Sequence, residues 1–363
     1  MDGAGQIVRS PFTPPGWLRN RHLQTIVPNS PLRRRPRLIL RNDVLELPDG
    51  DFLRLEWLDG DGPLVVMLHG LEGSSRSRYA RGIIAALGRA GCRVVLMTFR
   101  GCGGVPNRLA RSYHAGDTGD LAFLLDHLRA GHPGVPIAAL GYSLGGNALL
   151  KYLGERGADT CLRTAIAVSV PFDLQDSCAA MSIGFARLYQ HILLGHLKAS
   201  TRRKFDRLPA PFDLRAGLAA TDFEGFDDRI TAPLHGFAGA PDYYRKSSCR
   251  AYLKHIRVPT LIVHAADDPF MTRAAIPAAL ELGAGVTLEL SEYGGHVGFV
   301  AGDAPWNLHC WLEQRILRHF NDALLTPDAA TSAAARALRT VRPRRRKARG
   351  QTAARSTAAA GED

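Results

Sequence analysis

A chain of 363 residues, 45% of them hydrophobic, carries enough apolar material for a large buried core. No run approaches the ~20 apolar residues of a membrane helix, and Met1–Gly16 lacks the apolar stretch of a secretory signal, so a cytoplasmic location is expected. The net charge of +12 suggests a polyanion partner only until it is located: residues 1–43 carry eight Arg against two Asp, residues 326–363 carry nine Lys or Arg against three Asp or Glu, and the stretch between is balanced at twenty-nine of each.

That balance divides the chain into a basic segment 1–43, a globular body 44–325 and an Ala/Arg-rich tail 326–363, expected to be disordered. Within the body, Val44–Leu47 and Phe52–Trp57 flank Pro48-Asp49-Gly50-Asp51 and read as a hairpin. Continuous apolar runs follow at Leu64–Leu68, Arg93–Met97, Ile137–Leu140, Ala165–Val170, Thr260–Val263 and Val286–Leu290. Runs without alternation fit parallel strands covered on both faces. Between them Arg78–Ala90, Asp117–Ala130, Leu144–Glu155 and Trp306–Phe320 have helical spacing. The pattern predicts an α/β fold, a mostly parallel eight-stranded sheet with helices on both faces.

Almost ninety residues separate the strand at Ala165–Val170 from the strand at Thr260–Val263, too many for a simple crossover. The segment, about residues 172–256 and partly helical over Met181–Lys198, is expected to be an inserted cap over the strand ends. Phe185, Leu188, Ile192 and Leu193 recur there at helical spacing, either to line a channel or to pack the cap onto the body.

The chemistry centres on Gly141-Tyr142-Ser143-Leu144-Gly145. A G-x-S-x-G string is short enough to arise by chance, but this one joins a strand to a helix. That setting is a nucleophile elbow, which lifts a serine above the sheet edge. A serine hydroxyl needs a base, and the base needs a carboxylate to hold its tautomer. On such a sheet they follow in the order serine, acid, histidine. Asp267-Asp268-Pro269 follows one later strand and Gly294-Gly295-His296 follows the last, so Ser143, Asp268 and His296 are the expected catalytic residues. Of the two aspartates, the one before proline is held extended and is preferred. Leu68-His69-Gly70-Leu71-Glu72-Gly73 follows the first parallel strand, and its turn aims the Leu71 amide, with that of Leu144, at an oxyanion. His69 is expected to shape this loop.

The six cysteines are scattered with no C-x-x-C pair, and neither a nucleotide loop nor HExxH occurs, so neither cofactor nor metal is expected.

The sequence also resembles the AB hydrolase-4 family, the YheT-like α/β-hydrolases, over about residues 14–320. The resemblance rests on His22-Leu23-Gln24-Thr25, on His69-Gly70-Leu71-Glu72-Gly73-Ser74 and on Arg100-Gly101-Cys102-Gly103-Gly104. It is sharpest from Asp227 through Gly236-Phe237, Asp242-Tyr243-Tyr244, Ser248, Ile256 and Pro259 to Asp268. It implies esterase or lipase activity on acyl esters, glycerolipids among them, with Ser143, Asp268 and His296 as the triad. Acyl transfer to an alcohol through the same acyl-enzyme is the alternative, although the His-x₄-Asp motif of some lipid acyltransferases is absent. The expected partner is a small-molecule or lipid ester, with no nucleic acid and with weak contact of the basic tail with an anionic membrane surface.

Overall fold

The computed structural model describes residues 4–30, 36–304 and 306–325. The tail 326–363, expected to be disordered and to touch anionic surfaces, lies outside the described residues.

The eight expected strands are present, and a ninth joins them. In chain order they are β1 (Gln6–Arg9), β2 (Arg41–Glu46), β3 (Phe52–Leu58), β4 (Leu64–Leu68), β5 (Arg93–Thr98), β6 (Ile137–Tyr142), β7 (Leu162–Val168), β8 (Thr260–Ala265) and β9 (Val286–Ser291). The sheet order is β1-β9-β8-β7-β6-β4-β5-β3-β2, parallel except where β3 pairs with β2 and β5. The ninth strand comes from the basic N-terminal segment: β1 lies parallel to β9, Gln6 beside Thr287 and Arg9 beside Leu290. Four largely exposed residues carry too little hydrophobic pattern to read as a strand.

Strand alternation builds two cores from one strand. Leu64, Val66 and Leu68 of β4 face one apolar layer, Val65 and Met67 the other. The first layer is covered by α3 (Gly119–Gly131) and α4 (Leu144–Arg156), the second by α2 (Arg78–Arg89) and α11 (Trp311–Phe320). The last helix begins five residues later than its spacing suggests. His309–Cys310 first pairs with Val300–Ala301 as a two-stranded ribbon of β10 and β11. The first helix, α1 (Arg21–Ile26), precedes the sheet's main strands and is capped by Asn20, whose side chain accepts from the amides of His22 and Leu23.

Between β7 and β8, where every residue is described, run α5 (Leu174–Met181), α6 (Ala186–Phe205), α7 (Leu214–Leu218), α8 (Phe223–Phe226), α9 (Ala232–His235) and α10 (Ala240–Ser247). Of these, α5, α6 and α8 share an apolar cluster around Tyr189, Leu194, Phe223 and Phe226, whereas Ala240, Tyr243 and Tyr244 of α10 join the core on the α3/α4 side of the sheet.

The Arg100-Gly101-Cys102-Gly103-Gly104 motif follows β5 and ties the hairpin to α3. The buried Arg100 guanidinium donates to both Asp120 oxygens at 2.7 Å and to Asp49 and Asp51 at 2.6 and 3.2 Å. Asp51 is fully buried, so removing the cation strands its charge. Arg100→Met is expected to destabilise the fold by about 3–5 kcal/mol. Arg41→Met, at an exposed pair with Asp59, should cost under about 1 kcal/mol. Urea unfolding of both variants checks the contrast.

Candidate active site

The site is built at the carboxyl ends of β6, β8 and β9. Ser143 leaves β6 with φ 51° and ψ −120°, a conformation that costs a non-glycine residue about 1–3 kcal/mol. Its amide donates to Val168 O at 2.8 Å. The turn is possible because Gly145 has no side chain, since a Cβ there would lie 2.5 Å from His69 O.

The structure brings Ser143, His296 and Asp268 into one hydrogen-bonded line. His296 Nε2 is 3.0 Å from Ser143 Oγ, and His296 Nδ1 is 2.9 Å from Asp268 Oδ2. The other Asp268 oxygen accepts from the Phe270 amide at 2.9 Å, and the Phe270 ring stacks on the imidazole at 3.8 Å with planes 8° apart. Asp267 points elsewhere: its Oδ1 accepts from the Gly295 amide at 2.9 Å. The adjacent carboxylates therefore touch two different parts of the histidine loop, one the ring and one the backbone.

That loop is held by side chains from three directions. Besides Asp267 at the end of β8, Ser169 Oγ, past the end of β7, accepts from the Val297 amide at 2.9 Å. Thr25 Oγ1 of α1 accepts from the His296 amide at 3.0 Å. Gln24, also of α1, accepts from the Val300 amide at 2.9 Å and donates to the Val300 carbonyl at 3.0 Å. The two chains approach closely enough that a Cβ on Gly298 would meet Gln24 O at 2.3 Å. The His22-Leu23-Gln24-Thr25 motif thus lies in α1 and braces the loop that carries His296. Nothing in the spacing of residues 22–25 marks them as partners of a loop some 270 positions away.

The turn after β4 is organised around His69. The Phe99 amide donates to its Nε2 at 3.2 Å, which fixes Nδ1 as the donor to Gly70 O at 2.6 Å. Burial lowers its pKa to about 4, so the ring is neutral. The Gly70 amide donates to the Tyr79 hydroxyl at 2.9 Å and the Glu72 amide to the Tyr113 hydroxyl at 3.1 Å. The Leu71 amide between them has no acceptor among the described residues. Leu144, first residue of α4, likewise presents a first-turn amide without a helical partner. Glu72 itself accepts from Tyr113 and from Ser200 of α6, with burial pushing its carboxyl pKa up.

Two cavities meet at Ser143 and His296. An inner one of about 130 Å³ lies beneath the inserted helices, with Leu174, Met181, Leu197 and Phe223 among its walls. An outer one of about 500 Å³ runs past Thr25, Ile26, Tyr189 and Ile192. Leu71, Leu193 and Phe270 border both. Of Phe185, Leu188, Ile192 and Leu193, Leu193 lines both cavities and Ile192 the outer one. Phe185 and Leu188 line neither and stand about half exposed, because they lie on the outer face of α6.

A model of the alpha/beta hydrolase fold family matches residues 63–303. The chain belongs to that family. Within it the chain falls in the AB hydrolase-4, or YheT-like, group, and it is a hydrolase of the esterase and lipase type. It is 43% identical over 314 residues to the Escherichia coli protein named "Putative esterase YheT", spanning 84% of this chain and 91% of that protein. It is 29% identical over 335 residues to the mouse phospholipase ABHD3, spanning 88% and 80%. Among solved structures, a Pyrococcus furiosus esterase superposes with a TM-score of 0.53 at 15% identity, over 88% of this chain and 99% of that one, a likeness of fold. Among the described residues no helix of this hydrolase is long and apolar enough to cross a membrane, and no His/Cys/Asp/Glu cluster has the makings of a metal site.

Burial raises the pKa of Asp267 to about 6. The folded value lies above the ordinary unfolded one near 4, so the native chain holds this proton more tightly. Its stabilisation is complete below about pH 4 and is lost as pH rises through about 6. Asp267→Asn should therefore lose less stability than wild type between pH 4 and pH 8, by roughly 1–2 kcal/mol given the group's partial exposure. Urea unfolding at the two pH values measures the difference.

Proposed function

We propose that this α/β-hydrolase cleaves carboxylic esters through an acyl-enzyme on Ser143. The observation that carries the reading is the continuous line from Ser143 through His296 to Asp268, opening onto two cavities at the serine. His296 Nε2 takes the hydroxyl proton as Ser143 Oγ attacks the ester carbonyl, and Asp268 holds Nδ1–H and stabilises the imidazolium. The Leu71 and Leu144 amides receive the oxyanion. His296 then returns the proton to the departing alcohol, and a water deprotonated by the same nitrogen releases the acid.

The two cavities divide the ester between them. The acyl chain enters the inner cavity and the alcohol occupies the outer one, with residues 172–256 acting as the cap that shapes both. The names of the relatives, an esterase, a phospholipase and a yeast monoacylglycerol lipase, are consistent with a lipid or small-molecule ester substrate. Cavities of about 150 Å³ accept a benzene-sized guest, so the inner cavity suits an acyl chain of about six carbons or fewer. The same reading keeps the enzyme cytoplasmic, requires no cofactor and assigns the basic tail weak contact with anionic lipid.

Ser143→Ala should lower kcat on p-nitrophenyl butyrate by at least about 10⁴-fold and abolish labelling by a fluorophosphonate. Near-normal turnover by the variant would remove Ser143 from the mechanism. Asp268→Asn should cost far more kcat than Asp267→Asn, and the reverse order would exchange the roles of the two carboxylates. Across p-nitrophenyl esters of increasing acyl length, kcat/KM should peak near six carbons or below, and Leu193→Trp should shift that optimum shorter.

A further inference from the structure

Among the described residues, the outer face of α6 is left largely uncovered, apart from the contact of Phe185 with α1. Phe185, Leu188 and Ile192 follow one another along it, 48%, 48% and 47% exposed, and Ile183 just before the helix is 72% exposed. The opposite face, with Ala186, Tyr189 and Leu194, is buried in the cap's own cluster. A surface helix of a water-soluble domain ordinarily carries its polar residues outward. This one turns large apolar side chains outward as well, interspersed with Arg187 and His191.

The patch extends onto a second element. Trp17, Leu23 and Ile26, from α1 and the turn before it, are each about two-fifths exposed. The elements are in contact: the His22 ring lies 4.5 Å from that of Phe185, and its Nδ1 is 3.2 Å from the Tyr189 hydroxyl. Ile26 and Ile192 also line the outer cavity. The exposed apolar residues therefore border the mouth by which that cavity leads to Ser143. Scattered exposed apolar side chains are ordinary, but a contiguous group beside a cavity mouth marks a binding face.

Charge identifies what the face meets. Residues 16–26 and 182–198 contain Arg19, Arg21, Arg187 and Lys198 and not one Asp or Glu. Arg19, Arg21 and Arg187 are exposed. Within these two segments every charged neighbour of the apolar residues is a cation, which matches the boundary between acyl chains and acidic headgroups. A two-fold pairing of the same face with a second copy would instead set these cations against each other.

We propose that this face is a docking surface for anionic lipid, with Ile183, Phe185, Leu188 and Trp17 entering the headgroup boundary and the arginines meeting the lipid phosphates. Docking there sets the mouth of the outer cavity against the lipid, so an ester can pass toward Ser143 without crossing water. The proposal is separate from the basic tail, and it concerns binding, so it does not depend on the hydrolytic reading.

The test is co-sedimentation of the full chain with vesicles of phosphatidylglycerol and phosphatidylcholine. Compared are wild type, I183D/L188D, and a tail variant with Arg344, Arg345 and Arg346 replaced by Gln. Neither Ile183 nor Leu188 lines the cavities, so unchanged hydrolysis of p-nitrophenyl butyrate shows that I183D/L188D is folded. Its vesicle affinity should fall about tenfold or more, while the tail variant retains most of the wild-type affinity. Wild-type binding should also weaken on pure phosphatidylcholine. Equal binding by I183D/L188D and wild type, or loss in the tail variant alone, overturns the proposal. So does a wild-type dimer that I183D/L188D converts to monomer, since the face would then serve a second copy. If wild type binds vesicles yet hydrolyses no ester, the docking surface stands and the hydrolytic reading fails.

Discussion

An imidazole that must reach a serine on one side and a carboxylate on the other tolerates little movement, since each bond weakens within a few tenths of an ångström. Here the histidine sits in a loop with three glycines within two residues of it, the most flexible kind of backbone a chain can offer. The precision comes from outside the loop. Amides of Gly295, His296, Val297 and Val300 each donate to a side chain fixed elsewhere: Asp267, Thr25, Ser169 and Gln24. Those anchors sit past the ends of two neighbouring strands and on α1. The bonds also hold Val297 at φ 57° and Phe299 at φ 50°, conformations a β-branched or bulky residue avoids unless its surroundings enforce them.

The N-terminal segment acquires its role through this constraint. It adds β1 to the sheet beside β9, the strand that leads into the histidine loop, and then folds α1 against the loop itself. Among its described residues, Arg9, Arg19, Arg21, Arg37 and Arg41 are exposed, whereas Gln24 and Thr25 are buried. Charge counting sees the arginines. The positioning is done by two neutral side chains.

Glu72 links the other half of the site to the helices inserted between β7 and β8. It lies one residue beyond Leu71, at φ 52°, and its carboxyl accepts from Tyr113 on the body and Ser200 on α6. The turn that presents the Leu71 amide is thereby tied to the same helix whose Leu193 borders both cavities. One helix thus touches the turn after β4 and the cavity walls, and it also turns apolar side chains outward.

Much of the architecture was legible because it rests on local pattern. Apolar runs of the right length become strands wherever helices cover both faces, and a strand–Gly-x-Ser-x-Gly–helix sequence forms a sharp turn because only glycine permits the close approach at 145. The chain order of serine, aspartate and histidine pointed to three residues that lie within 3.0 Å of one another in sequence of contact. The tertiary structure decided what no window of sequence contains. The pairing of β1 depends on the exposed edge of β9, not on four weakly patterned residues. Which oxygen of Asp267 and Asp268 meets ring or backbone depends on where the loop after β9 lies. Helical spacing grouped Phe185, Leu188, Ile192 and Leu193 as one stripe, yet a residue's distance from a cavity depends on what packs beneath the helix. Periodicity shows that a helix has an apolar face, and only the surrounding fold determines whether that face meets a core, a cavity or solvent.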